Sequence, residues 1–129
     1  MAFSRNTKQR DAIRSAFERE DRPLSPEEVL ALAKEESTQI GIATIYRSIK
    51  GLVAEGWLTT VELVGEPPRY ERSGKHHHHH FRCRICNKVY DLEGCLGHLD
   101  RLVPQGFRVE DHHIILDGTC ATCSASSAG

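Results

Sequence analysis

Two Cys-x-x-Cys pairs constrain this chain more than any other feature: CRIC at Cys83 to Cys86 and CATC at Cys120 to Cys123. Four thiolates at that spacing suit one tetrahedral zinc ion held entirely by protein, a structural site with no open position for chemistry. A redox dithiol would need one such pair and would leave the second without a role. Residues 84–119 are therefore expected to form a small domain whose thin core is stapled by metal. All five cysteines and all eight histidines lie from His76 onward. The spacing predicts a metal-free N-terminal domain (1–72), a hinge (73–76), a metal-binding domain (77–123) and a flexible tail (124–129).

The N-terminal half reads as three helices and a hairpin. In NTKQRDAIRSAFERED, Thr7 is the expected N-cap, and Ile13, Ala16 and Phe17 recur at helical spacing. LSPEEVLALAKEES carries Ser25 as N-cap, Pro26 at the first helical position and Glu28 to complete a capping box. In GIATIYRSIKGLVAEG, Ile42, Ile45, Ile49 and Leu52 share one face, and Gly56 stops the helix. WLTTVELV then alternates as a strand, and GEPP returns it through RYE. That order is a winged helix-turn-helix, in which the third helix enters the major groove and the wing follows the backbone. Thr44, Tyr46, Arg47, Ser48 and Lys50 offer hydroxyls, an aromatic edge and cations to bases and phosphates, and Arg5, Lys8, Arg10 and Arg14 could reach flanking phosphates. Residues 1–75 hold twelve basic and twelve acidic side chains, so charge supports a local basic face and not strong non-specific binding.

The run His76 to His80 sits directly before the first knuckle. In an extended chain His76, His78 and His80 lie on one face, and His77 and His79 on the other. One ion cannot use both sets, so two sites on opposite faces of one strand are expected. His98, His112 and His113, with Glu71 and Asp91, are candidates to complete them as mixed nitrogen and oxygen sites for zinc, iron(II) or manganese(II). A purification tag would ordinarily be terminal, and a loose metal-scavenging tract would need no such partners. Cys95 reads as a small buried hydrophobe near a helix start. Between the knuckles, KVYDL reads as a strand, CLGHLDRLVPQG as a helix and FRVEDHHIILDG as a closing strand. This α/β module exposes enough apolar surface to suggest a sheet-to-sheet homodimer.

No apolar run approaches the ~20 residues of a membrane span, and the start lacks a signal-like stretch, so a cytoplasmic protein is expected. A zinc metalloenzyme would need an open coordination position beside a general base, and no His-Glu-x-x-His helix, phosphate loop or nucleophile motif is present. Such an enzyme would also leave the winged half without a purpose, whereas a metal-buffering protein would bind metal without any DNA linkage, a difference that titration of operator DNA separates.

The quoted segments resemble the ferric uptake regulator family of metal-responsive repressors. TKQRDAIRSAF is similar to the family's first helix, GIATIYRSIKGLVAEGWL to its recognition helix, HHHHHFRCRICNKVYDL to its inter-domain strand and first knuckle, and GFRVEDHHIILDGTCATC to its closing strand and second knuckle. The resemblance implies an α+β fold, a winged helix followed by a small α/β dimerisation domain with a four-cysteine zinc site, and a non-enzymatic repressor of zinc or iron uptake genes. It makes Cys83, Cys86, Cys120 and Cys123 the structural zinc ligands. It implies a regulatory site at Glu71, His78, His80 and Asp91, a further site at His77, His79, His98 and His112, and a homodimer on a DNA operator with two-fold symmetry. The co-repressor would be Zn2+ or Fe2+, with Mn2+ the weaker fit. Pro23 stands where iron and peroxide sensors usually place a histidine. Thr59 and Ser73 stand where zinc sensors often have an acid and a cysteine, and Arg72 where peroxide sensors tend to have an aspartate.

Overall fold

A computed structural model describes residues 5–127; the last two residues of the expected tail, 128 and 129, lie outside it. The chain divides into two compact units, Met1–Gly74 and Lys75–Gly129.

In the first unit, α1 (Arg5–Glu20), α2 (Pro26–Ala33) and α3 (Ile42–Ala54) precede an antiparallel pair, β1 (Leu58–Val61) and β2 (Arg69–Arg72). Thr7 lies inside α1 and does not cap it, because the backbone is already helical at Arg5 and Asn6. The start of α2 follows the local code: Ser25 Oγ accepts from the Glu28 amide at 3.2 Å, and Glu28 Oε1 accepts from the Ser25 amide at 3.0 Å. Glu28 also receives Arg22 at 3.0 Å and Arg69 at 3.1 Å, tying α2 to β2. Leu24 exchanges backbone hydrogen bonds with Tyr70, which extends the wing by a short bridge. Ile13, Phe17, Leu24, Val29, Ile45, Ile49, Leu52 and Leu58 form the core. Ile42 is 39% exposed, outside the stripe expected to hold it, since it is the first residue of α3. Gly56, at φ 83°, supplies the left-handed stop after α3.

In the second unit the sheet order is β4-β3-β5, from β3 (His78–Cys83), β4 (Val89–Glu93) and β5 (Ile115–Gly118). β4 pairs antiparallel with β3, placing His80 opposite Asp91 and His79 opposite Leu92. β5 runs parallel to β3, with Leu116 opposite Phe81. Two expectations fail here. The leucines of CLGHLDRLVPQG form only a 3-10 turn, Leu99–Leu102, leaving Leu96 and Leu102 78% and 80% exposed. Gly94, Gly97 and His98 all have positive φ and Pro104 follows, so the backbone cannot wind through the leucine spacing. The closing strand is likewise confined to its last residues, with His112 and His113 in the irregular segment before it. Beyond it, α4 (Ala121–Ser127) begins at the second knuckle and runs through most of the segment expected to be a tail.

Candidate metal centres and the exposed face of α3

Three groups of metal-ligating atoms form, each with its donors within 4.8 Å of one another. The first is Cys83, Cys86, Cys120 and Cys123. A four-sulfur shell with metal–sulfur bonds of about 2.3 Å has sulfurs about 3.8 Å apart, and Cys86 Sγ lies 3.8 Å from Cys120 Sγ. The turn that shapes the first knuckle needs a left-handed residue, supplied by Asn87 at φ 62°, whose amide donates to the Cys83 carbonyl. Backbone amides stabilise charge here. The Cys120 amide donates to Cys83 Sγ at 3.3 Å, and with the Cys86 amide it lowers the Cys83 thiol to about 6. Cys120 is lowered as well, by the Cys123 amide, whereas burial, then Cys120, pushes Cys123 up to about 12. Packed thiols cannot all ionise unaided, and a dication is what lets the last one do so.

The second group is the even face of β3. His78 and His80 each hold Nε2 3.4 Å from Asp91 Oδ1. Nδ1 of His78 donates to the His76 carbonyl at 2.7 Å, which leaves Nε2 with its lone pair toward the group. His76 thus acts through its backbone. Lys75 pairs its ammonium with Asp91 Oδ2. Glu71 is a buried residue of β2, opposite Thr59 across the wing. Thr59 and Ser73 hydrogen bond to each other at 2.7 Å, and Pro23 is fully buried.

The third group is the odd face. His77 Nε2 lies 3.1 Å from His79 Nε2 and 3.2 Å from His112 Nε2. The fourth member is Cys95, with Sγ 2.9 Å from His112 Nε2 and 3.4 Å from His79 Nε2. His79 is 4% exposed, and its Nδ1 accepts from the Ile114 amide at 3.2 Å, which holds the ring with its proton on Nε2, so that an ion on Nε2 requires that proton to leave and the Ile114 bond to be given up. Burial first, then His77 and His112, lowers the pKa of His79. His98 is exposed and stands outside all three groups, as does His113, which pairs with Asp111. Cys95 is not buried as expected but exposed at the end of this cluster. The sequence did carry one signal for it, an odd thiol left over beside two complete knuckles in a histidine-rich domain.

On the first unit, α3 presents Tyr46, Arg47 and Lys50 exposed and Thr44 and Ser48 half-buried. Arg47 donates to Thr44 Oγ1 at 3.2 Å, and the Tyr46 hydroxyl donates to Glu27 at 3.3 Å. The Glu27 carboxylate raises the Tyr46 pKa. With Gln9 and Arg10 of α1, residues Thr44, Arg47, Ser48 and Gly51 line a groove of about 370 Å³. Arg14 is engaged elsewhere, with Glu55 at 3.6 Å and stacked 5.4 Å from the Trp57 ring.

The family model described as "Ferric uptake regulator family" matches residues 2–117. The chain belongs to the ferric uptake regulator family. The Bacillus subtilis ferric uptake regulation protein is 31% identical over 125 residues, covering 92% of this chain and 84% of its own length. A Mycobacterium tuberculosis zinc uptake regulation protein is 31% identical over 122 residues, covering 92% and 94%. Among solved structures, the Helicobacter pylori ferric uptake regulator Fur, which has three functional metal-binding sites, superposes with a TM-score of 0.67 at 25% identity over 91% of this chain and 80% of that one. Family members are regulators and not enzymes, and this chain is a metal-responsive transcriptional regulator of that family. The thiol group is a donor set that fits a structural zinc, and the histidine groups are donor sets that fit a further divalent ion. No helix among the described residues is long and apolar enough to cross a membrane.

Proposed function

We propose that this regulator represses zinc or iron uptake genes from the cytoplasm when an ion held by Glu71, His78, His80 and Asp91 couples the wing to the metal-binding unit. The observation that carries the reading is the even face of β3, where His78, His80 and Asp91 converge with the His78 ring already oriented. Glu71 stands seven residues upstream of His78, just before the hinge. An ion drawing on both sides of that short connection restricts the two units mutually. Metal then favours the DNA-competent arrangement, and DNA tightens the metal by the same factor. Cys83, Cys86, Cys120 and Cys123 hold the structural zinc, and the odd face holds a further ion through His77, His79 and His112.

Two copies on a two-fold operator present two recognition helices, with Thr44, Tyr46, Arg47, Ser48 and Lys50 toward the major groove and Arg10 toward a flanking phosphate. The dimer face is the apolar side of the sheet, where Phe81, Tyr90, Leu92, Thr119 and Ala121 line a hollow of about 440 Å³ and Leu116 is 51% exposed. Titration of operator DNA with Zn2+, Fe2+ or Mn2+ tests the linkage. A gain of about 5–150-fold in affinity is expected, and it should vanish in His78→Ala/His80→Ala. Retention of the full gain in that variant would falsify the regulatory site.

A further inference from the structure

We propose that Cys95, and not His98, is the fourth ligand of the odd-face site, making it a three-histidine, one-thiolate site for zinc-class ions. This rests on the reading that the odd face holds an ion, and it is independent of any DNA linkage. Around a tetrahedral ion with metal–nitrogen bonds of about 2.0–2.1 Å, neighbouring nitrogens sit about 3.3 Å apart. The His77–His79 and His77–His112 separations, 3.1 and 3.2 Å, already match that shell. Cys95 Sγ completes it, reaching both His112 and His79. Had residues 95–106 been helical, Cys95 and His98 would have shared a face three residues apart. Instead Gly97 (φ 67°) and His98 (φ 52°) turn the backbone between them, and only Cys95 joins the histidines.

The thiolate sets the class of ion. Sulfur with imidazole favours zinc, and cobalt(II) as its spectroscopic stand-in, whereas iron(II) and manganese(II) lie lower in affinity and manganese(II) prefers oxygen donors. The two faces of one strand therefore differ in what they admit. Manganese(II) loads the even face and leaves the odd face empty, while zinc fills both.

The test uses full-length protein with zinc retained in the four-cysteine site and the even face removed by His78→Ala/His80→Ala. Cobalt(II) is then added. One equivalent should bind with a thiolate-to-cobalt charge-transfer band and tetrahedral visible absorption. Cys95→Ser should abolish the charge-transfer band and weaken zinc, in competition with a chelator, by at least about 100-fold, beyond the upper end of what an outer-shell partner costs. His98→Ala should keep both the band and the affinity. Zinc content at the four-cysteine site confirms that each variant is folded. If cobalt does not bind at all, the odd-face reading fails and the proposal with it. If cobalt binds without the band, or if His98→Ala and not Cys95→Ser removes affinity, the odd face is a metal site and Cys95 is not its ligand.

Discussion

The even and odd faces of β3 are built from alternate histidines of one run, yet they gather unlike partners. On the even face the neighbour across the ladder is a carboxylate, Asp91 opposite His80. On the odd face the facing residue is Leu92, opposite His79, and the donors come from irregular chain instead, Cys95 after β4 and His112 before β5. Strand pairing thus delivers an oxygen donor to one side, and loops deliver nitrogen and sulfur to the other. The lesson is that a period of two separates ligands into sites, but the neighbouring segments decide what each site binds.

The largest effect should come from removing what both faces share. β3 ends at Cys83, so an ion in the four-cysteine group would anchor the strand on which both faces stand. Structural zinc contributes an apparent binding energy of about 10–16 kcal/mol at neutral pH, against about 5–15 kcal/mol for the total stability of an ordinary domain. Cys86→Ser should leave residues 75–129 without a cooperative melt and abolish metal uptake at both faces, read by circular dichroism and elemental analysis. Selective loss of one face would show that the two are held by something other than the common strand.

Next in size is an exchange of hardness between the faces. Cys95→Asp replaces sulfur by oxygen on the odd face and should cut its preference for zinc over manganese(II) on the order of 10–100-fold, the scale of ligand-environment changes at such sites. The even face should keep its preference. Competitive metal titrations of the wild type and the variant measure both, and an unchanged odd-face preference would remove the thiolate from the site.

Much of this contrast is legible before any coordinates, wherever the signal is local. Ser25, Pro26 and Glu28 specify the start of α2 by bonds within four residues, and the knuckle spacing and histidine alternation likewise need no distant partner. The reading fails where spacing competes with backbone geometry. Leu96, Leu99 and Leu102 repeat as a helix would, but Gly94, Gly97 and Pro104 deny them one. His98 entered the odd-face set through the family resemblance and not through this spacing, and with Gly97 and His98 turning the backbone it is Cys95 that lies with His77, His79 and His112. Thr7 erred differently, since a capping side chain marks a start only if the residues before it are not already helical.

The smallest effect separates the faces by charge. Lys75 pairs with Asp91 on the even face, both side chains about a fifth exposed or less (21% and 17%), and no odd-face ligand touches a comparable cation among the hydrogen bonds and ion pairs of the described residues. A divalent ion taking Asp91 through Oδ1, where the histidines converge, would share the carboxylate with the ammonium on Oδ2 and compete with it for the same negative charge. A partly exposed pair is worth about 0.2–1 kcal/mol, and the charge repulsion it leaves near the incoming ion acts in the same direction. Lys75→Met should therefore tighten manganese(II) at the even face by about 1.4–5-fold, the affinity equivalent of that energy, and leave odd-face cobalt absorption where it was. Chelator competition resolves a change of that size. Weaker manganese binding in the variant would mean that Lys75 holds Asp91 in place for the metal, so that the ammonium assists the site it was expected to oppose.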